Sequence, residues 1–300
     1  MKRYSFILLV FISLNYFGCN SPEPTPLSAD SVENNLMEIE VLSQNPNESE
    51  ILTGYDSTGY TPNIPNNNSF IFLSKNIINE GSLSFEHEYS TSVFFIKDSS
   101  IFSSSGKFLG HKTFDVGMVR INNVTAHKLP FVYRYRENGL LKDTVAGYQF
   151  VLNRRKGRPF QDPLNFEFNS NASIEIRRFG NVFNSEILMP IQTTGAASYE
   201  TIRDKKNLKL SWTSIQDGSI DIVIGGYTIS TQTPIPFYRI KVLDTGVVRI
   251  PPELIASIPK DRFNKLLISF IRRNVNPQAI DSFRFNIIAQ SMYTLVLEMP

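Results

Sequence analysis

Residues 131–152 read FVYRYRENGLLKDTVAGYQFVL. Phe131, Tyr133 and Tyr135 alternate with Val132, Arg134 and Arg136, the period of two that sends successive strand side chains to opposite faces. Asn138-Gly139 follows, and residues 141–152 run as a second β stretch. A two-residue type I′ turn needs φ > 0 at both central residues, which Asn and Gly tolerate best. The stretch therefore predicts a β-hairpin.

The same period recurs outward in both directions. Met37, Ile39 and Val41 alternate with Glu38 and Glu40. Phe70-Ile71-Phe72-Leu73 resumes β structure after a loop at 57–69, marked by Gly59, Pro62, Pro65 and three successive Asn. Downstream, Leu208, Leu210 and Trp212 alternate with Lys209 and Ser211, and Ile220, Ile222 and Ile224 with Asp221 and Val223. Tyr238, Ile240 and Val242 lead to a turn at Asp244-Thr245-Gly246, with Val248 and Ile250 beyond it. Leu266, Ile268 and Phe270, then Phe283, Phe285 and Ile287, then Tyr293, Leu295 and Leu297 give three more strand patterns. One short helix is expected over 251–258, opened by two prolines and stopped by Pro259. No long amphipathic pattern occurs, which removes doubly wound α/β folds and their nucleotide sites. The polar, turn-rich stretch 153–165 holds Arg154, Arg155, Lys156, Gly157, Arg158, Pro159 and Pro163 and marks a boundary. The expected fold is all-β, with two antiparallel β-sandwich domains over 36–160 and 165–300.

The N-terminus carries an address. Lys2 and Arg3 precede an apolar run over residues 4–17, and Gly18-Cys19 follows. That order is the secretory n-region, h-region and cleavage site. The run is shorter than the ~20 residues a membrane-spanning helix needs. Cys19 is the only cysteine. This segment resembles the bacterial lipoprotein signal peptide, although Tyr16 and Phe17 replace the Leu and small residue usual before the cysteine. The resemblance implies removal of residues 1–18, acylation of Cys19, and a chain bound to the membrane through those acyl chains in the cell envelope. Asn20, where an Asp would mark inner-membrane retention, points to the outer membrane. With Cys19 acylated, no thiol is left for a disulfide.

Removing Lys2 and Arg3 brings the basic count from 30 to the 28 acids. A neutral body argues against nucleic-acid binding, which rests on a basic surface. Residues 20–74 contain no Lys or Arg but eight acids, and Pro22, Pro24 and Pro26 open them. Residues 19–35 read as a solvated acidic tether.

The second half also resembles a domain of bacterial envelope lipoproteins. Leu210-Ser211-Trp212, the strand at 220–224, Asp244-Thr245-Gly246, Glu253-Leu254-Ile255 and residues 266–272 carry the likeness. It covers about 175–300 and implies an immunoglobulin-like sandwich, a fold that fixes no activity. Residues 35–165 carry no such likeness.

Chemistry is harder to read. Asp244-Thr245-Gly246 resembles the aspartic-protease triplet, but that reaction needs two carboxylates sharing a proton, and a hairpin turn explains Asp and Gly equally. His87, His111 and His127 have no metal-ligand spacing, and His87 should turn away from its neighbours Glu86 and Glu88. No Gly-x-Ser-x-Gly elbow or phosphate-binding glycine loop occurs. No cofactor is implied. Tyr133 and Tyr135 with Arg134 and Arg136, and Tyr148 nearby, are the binding candidates: tyrosines suit a glycan or peptide, or they line the core with both arginines in water. The basic run at 154–158 is a solvated loop or a contact for anionic head groups. The expectation is a non-catalytic binding or structural role with a glycan or envelope-protein partner. An envelope hydrolase acting on glycan or peptide, with a carboxylate pair distant in sequence, is the alternative.

Overall fold

The computed structural model describes residues 37–42, 51–53, 68–155, 162–202, 205–228, 234–280 and 283–299. Cys19, the signal and the tether lie outside them, as do most of the 57–69 loop and the side chains of Arg154, Arg155, Lys156 and Arg158. Almost everything described is strand. The first part forms β1 (Glu38–Val41), β2 (Ile51–Thr53), β3 (Ser69–Glu80), β4 (Leu83–Val93), β5 (Phe95–Phe102), β6 (Phe108–Thr113), β7 (Met118–Ile121), β8 (Val124–Thr125), β9 (His127–Glu137) and β10 (Leu140–Arg155). The second forms β11 (Asn171–Arg178), β12 (Asn181–Leu188), β13 (Gly195–Ile202), β14 (Lys205–Trp212), β15 (Ser219–Thr228), β16 (Pro234–Leu243), β17 (Val247–Ile250), α1 (Pro252–Ala256), β18 (Phe263–Ile280) and β19 (Phe283–Glu298).

The main sheet has ten strands in the order β1-β16-β15-β18-β19-β3-β4-β10-β9-β2. Its neighbours are antiparallel except β19 and β3, which run parallel over twelve residue pairs, from Phe285 beside Ser69 to Val296 beside Glu80. Two antiparallel blocks are thus welded by one parallel ladder. The sheets do not follow the division into 36–160 and 165–300. The ladder crosses it, and β11 and β12 join β7 and β8 of the earlier segment in a four-stranded sheet, order β12-β11-β7-β8. Residues 36–300 form one compact unit.

Alternation explains how the layers stack. Ile71 and Leu73 of β3, Phe150 and Leu152 of β10, and Phe285 and Ile287 of β19 meet Val119, Ile121, Ile174 and Ile176 of the four-stranded sheet in one core. Phe70 and Phe72, on the other face of β3, pack with Phe95 of β5, Leu109 of β6 and Phe131 and Tyr133 of β9. A strand buried on both faces loses its alternation and reads as the unbroken run Phe70-Ile71-Phe72-Leu73. A third core joins Leu208, Leu210 and Trp212 of β14 to Ile220, Ile222 and Ile224 of β15 and to Leu266, Ile268 and Phe270 of β18. It lies between the main sheet and a three-stranded sheet, β13-β14-β17. At the first strand Met37 and Ile39 pack against this core while Val41 is 51% exposed.

The expected hairpin forms at β9–β10, with Asn138 at φ 52° and Gly139 at φ 77°. The expected helix is shorter, Pro252–Ala256, with Leu254 and Ile255 buried. Asp244-Thr245-Gly246 does not close a hairpin. β16 belongs to the ten-stranded sheet and β17 to the three-stranded one, so the triplet carries the chain from one layer to the other.

Candidate functional site

The four-stranded sheet turns its apolar residues inward and leaves its outer face polar. Arg120 lies between Val119 and Ile121, and Glu175 between Ile174 and Ile176; the four apolar residues are buried. Register places Asn184, Glu175, Arg120 and Thr125 directly opposite one another across the four strands. Ser173 and Glu186 form the next cross-strand pair on the same face, two residues along. All of these but Thr125, with Asn123, Ile174 and Ser185, line a shallow cleft of about 440 Å³.

Local chemistry fixes this surface. Asn122 and Asn123 form the β7–β8 turn at φ 46° and 65°, a left-handed conformation that Asn tolerates. The Asn122 side chain accepts from the Ser173 N–H (2.8 Å) and donates to the Asn165 carbonyl (2.8 Å). The segment leading into β11 is clamped from β3: Lys75 Nζ donates to the Phe166 carbonyl (2.7 Å) and pairs with Glu86 (3.0 Å) and Glu88 (2.9 Å), while Glu88 accepts the Phe166 N–H (3.0 Å).

Within the cleft, Arg120 Nη2 donates to the Asn123 carbonyl (3.0 Å) and Nη1 lies 3.5 Å from Glu175 Oε1. The buried Arg120 Nε has no hydrogen-bond partner among the described residues. Arg177 grips Glu175 with two bonds, 2.8 and 3.3 Å. These bonds, with the nearby Arg120 charge, hold the Glu175 carboxyl below the usual carboxylate range against the opposing pull of burial. Glu186 accepts from Asn171 (3.0 Å). The cleft therefore offers both donors and acceptors on planar side chains whose positions are fixed by the sheet.

The binding candidates read from the sequence are not brought together. Tyr133 and Tyr135 are buried in the core with Phe131, while Arg134 and Arg136 occupy the opposite, exposed face. Arg134 pairs with Asp143 (3.1 Å). The Tyr133 hydroxyl donates to the His111 carbonyl (2.9 Å) and accepts the His111 N–H (3.0 Å), and burial pushes its ionisation up to about 12. Tyr148 stays partly exposed beneath the Lys128 ammonium, 5.0 Å from its ring centre. As strand alternation requires, Glu86 and Glu88 face Lys75 while His87 bonds Asn153 (2.7 Å). His127 pairs with Asp162 (2.7 Å). Among the described residues no three His, Cys, Asp or Glu side chains converge on a metal position.

Asp244 is a buried ion-pair acid. Its Oδ1 accepts from Trp212 Nε1 (2.6 Å), and its Oδ2 meets Arg272 Nε (2.9 Å) and Nη2 (2.7 Å). The side chains of Asp244 and Arg272 are 1% and 5% exposed. A carboxylate gripped by a guanidinium is not one that shares a proton with a second acid. The sequence contained a sign of this partner: Arg272 follows the apolar run 266–271, where a charge needs a counter-charge.

The fold and site define a class: an all-β protein of layered sheets with a polar cleft on one outer face. No protein-family model matches the chain, and no curated protein matches it in sequence.

Proposed function

We propose that this is a lipid-anchored protein of the cell envelope with a non-catalytic binding role, and that the cleft around Arg120, Glu175, Asn184 and Glu186 takes a polyhydroxylated ligand such as an envelope glycan. The supporting observation is the state of Glu175. A general acid must hold a proton near its working pH, and Glu175 is kept ionised by Arg177 and Arg120. A fixed carboxylate beside a fixed guanidinium suits sugar hydroxyls, which both donate and accept.

The anchor is the acylated Cys19, after removal of residues 1–18, with 19–35 as tether and the outer membrane as location. The finer fold belongs to the same proposal: two β-sandwiches, the C-terminal one immunoglobulin-like. Strand order favours the latter. β13-β14-β17 faces β16-β15-β18-β19, a three-on-four arrangement whose chain crosses between sheets after β14, β16 and β17.

The test is calorimetric titration of the full chain with soluble envelope oligosaccharides. Saturable binding that Arg120→Ala weakens at least tenfold, at unchanged melting temperature, is the expected result. Absence of glycan binding rejects the ligand class. Release of new reducing ends, lost in Glu175→Gln, installs the hydrolase reading instead. Palmitate labelling of wild type and Cys19→Ala tests the anchor separately, and protease shaving of intact cells reports which way the body faces.

A further inference from the structure

Among the described residues, three hairpins close with the same two-residue geometry. Asn122-Asn123 turns at φ 46° and 65°, Asn138-Gly139 at 52° and 77°, and Phe179-Gly180 at 47° and 85°. The flanking pairs Ile121–Val124, Glu137–Leu140 and Arg178–Asn181 confirm the loop length. At the first turn position two hairpins use Asn, whose short polar side chain tolerates a left-handed backbone. The third uses Phe, a bulky residue for which this conformation is an outlier. Packing does not compensate, because Phe179 is 92% exposed. A strained aromatic with nearly all its surface in water gains little inside its own chain, and strain of this kind collects at contact sites.

The surroundings say what it contacts. Arg178 lies between two rings, its guanidinium 5.1 Å from the centre of Phe114 and 5.2 Å from that of Phe179. Its Nε has no hydrogen-bond partner, and Arg178 makes no ion pair among the described residues. Arg177 is already committed to Glu175. Val182, 51% exposed, adds apolar surface just past the turn. The tip thus presents an apolar ring with an unneutralised cation stacked behind it. That layering matches a lipid interface, with the ring at the acyl boundary and the guanidinium among anionic head groups.

We infer that the β11–β12 tip, Arg178-Phe179-Gly180, is a membrane-interface anchor for anionic lipid, separate from the cleft and from any N-terminal lipid. The contact inserts Phe179 and leaves Arg178 at head-group level.

The test uses the full chain carrying Phe179→Trp. Trp212 is the only native tryptophan and is 7% exposed, so it supplies a constant background. On vesicles of phosphatidylglycerol and phosphatidylethanolamine, emission from the added indole should shift to the blue and be quenched by acyl-brominated lipid. In a Cys19→Ser background, Phe179→Asn should lower partition onto those vesicles by roughly tenfold, the order expected for one inserted aromatic. Asn occupies the same position in the other two turns, so this variant folds. An indole that keeps its aqueous emission on vesicles overturns the inference. Equal partition onto phosphatidylcholine alone removes the role given to Arg178 and overturns it too. A blue shift that requires an added protein instead of vesicles replaces the lipid by a protein partner.

Discussion

Replacing Asp244 by Asn should cost the fold dearly although it changes only one atom of the side chain. The amide oxygen can still accept from Trp212 Nε1, now bonded at 2.6 Å. The amide nitrogen would face Arg272 Nε and Nη2, at present 2.9 and 2.7 Å from the carboxylate. Donor would meet donor, and a guanidinium 5% exposed would lose its counter-charge. Arg272 Nη2 would keep its bond to the Thr213 carbonyl, which does not neutralise it. Removing one partner of a buried pair costs about 3–5 kcal/mol. At roughly 2–4 °C per kcal/mol the melting temperature should fall by about 6–20 °C. Thermal unfolding followed by Trp212 fluorescence reads the change directly, since the indole bonds the altered group. Arg272→Met alone should be similarly damaging, and the double variant should recover much of the loss, with a coupling of at least about 2 kcal/mol. A loss in Asp244→Asn under about 1 kcal/mol, or additive single changes, would refute the ion-pair argument. A proteolytic activity lost at unchanged stability would return the triplet to catalysis.

Other expectations follow from single contacts. Tyr133→Phe should cost about 1–3 kcal/mol in chemical denaturation, because the His111 N–H and carbonyl lose their buried partner. Burial raises the folded-state ionisation of Tyr133, so its contribution is complete below about pH 10 and is lost as pH rises towards 12; Tyr133→Phe should remove that alkaline decline from the stability profile. Gly110→Ala should fail at the same place: its Cβ would fall 2.2 Å from the Tyr133 hydroxyl at φ +150°, and a lowered soluble yield relative to Gly139→Ala, which meets nothing, is the readout. Glu137 bonds Lys142, Ser104 and the Ser105 N–H, with Lys142 foremost in holding its carboxyl well below the usual range. Its stabilisation is present above the unfolded carboxylate value near 4.3 and is lost as pH falls further. Glu137→Gln should therefore flatten the acid limb of the unfolding curve, and an unchanged limb would contradict that bond set. Phe179→Asn should raise stability by about 1 kcal/mol by relieving a strained backbone.

Local period and turn chemistry carried the strands. Phe131, Tyr133 and Tyr135 alternate as one buried face, and Asn138-Gly139 closes their hairpin, because both signals act within a few residues. Leu208, Leu210 and Trp212 behave likewise on β14. The parallel join of β3 to β19 left no comparable trace, since pairing between remote strands is set by which cores must close, not by neighbours in sequence. Asp244 shows the limit from the other side. Beside Thr245 and Gly246 it has the composition of a surface turn, and only Arg272 on a different strand makes it a buried acid. Arg120 and Glu175 each look like an ordinary solvent-facing residue between two apolar ones. Register alone puts them side by side.

The ladder between β3 and β19 also governs when this molecule can fold. Gln290 donates to Ser74 across it, linking positions 216 apart in the chain. Contacts of that separation form slowly, since the loop they close must first be ordered. Whether from the ribosome or from an export channel, β3 emerges early, with Phe70 to Leu73 and a row of backbone groups awaiting a partner that has not yet arrived. A chain interrupted before Phe283 would hold that apolar edge open indefinitely, so incomplete copies should self-associate through β3.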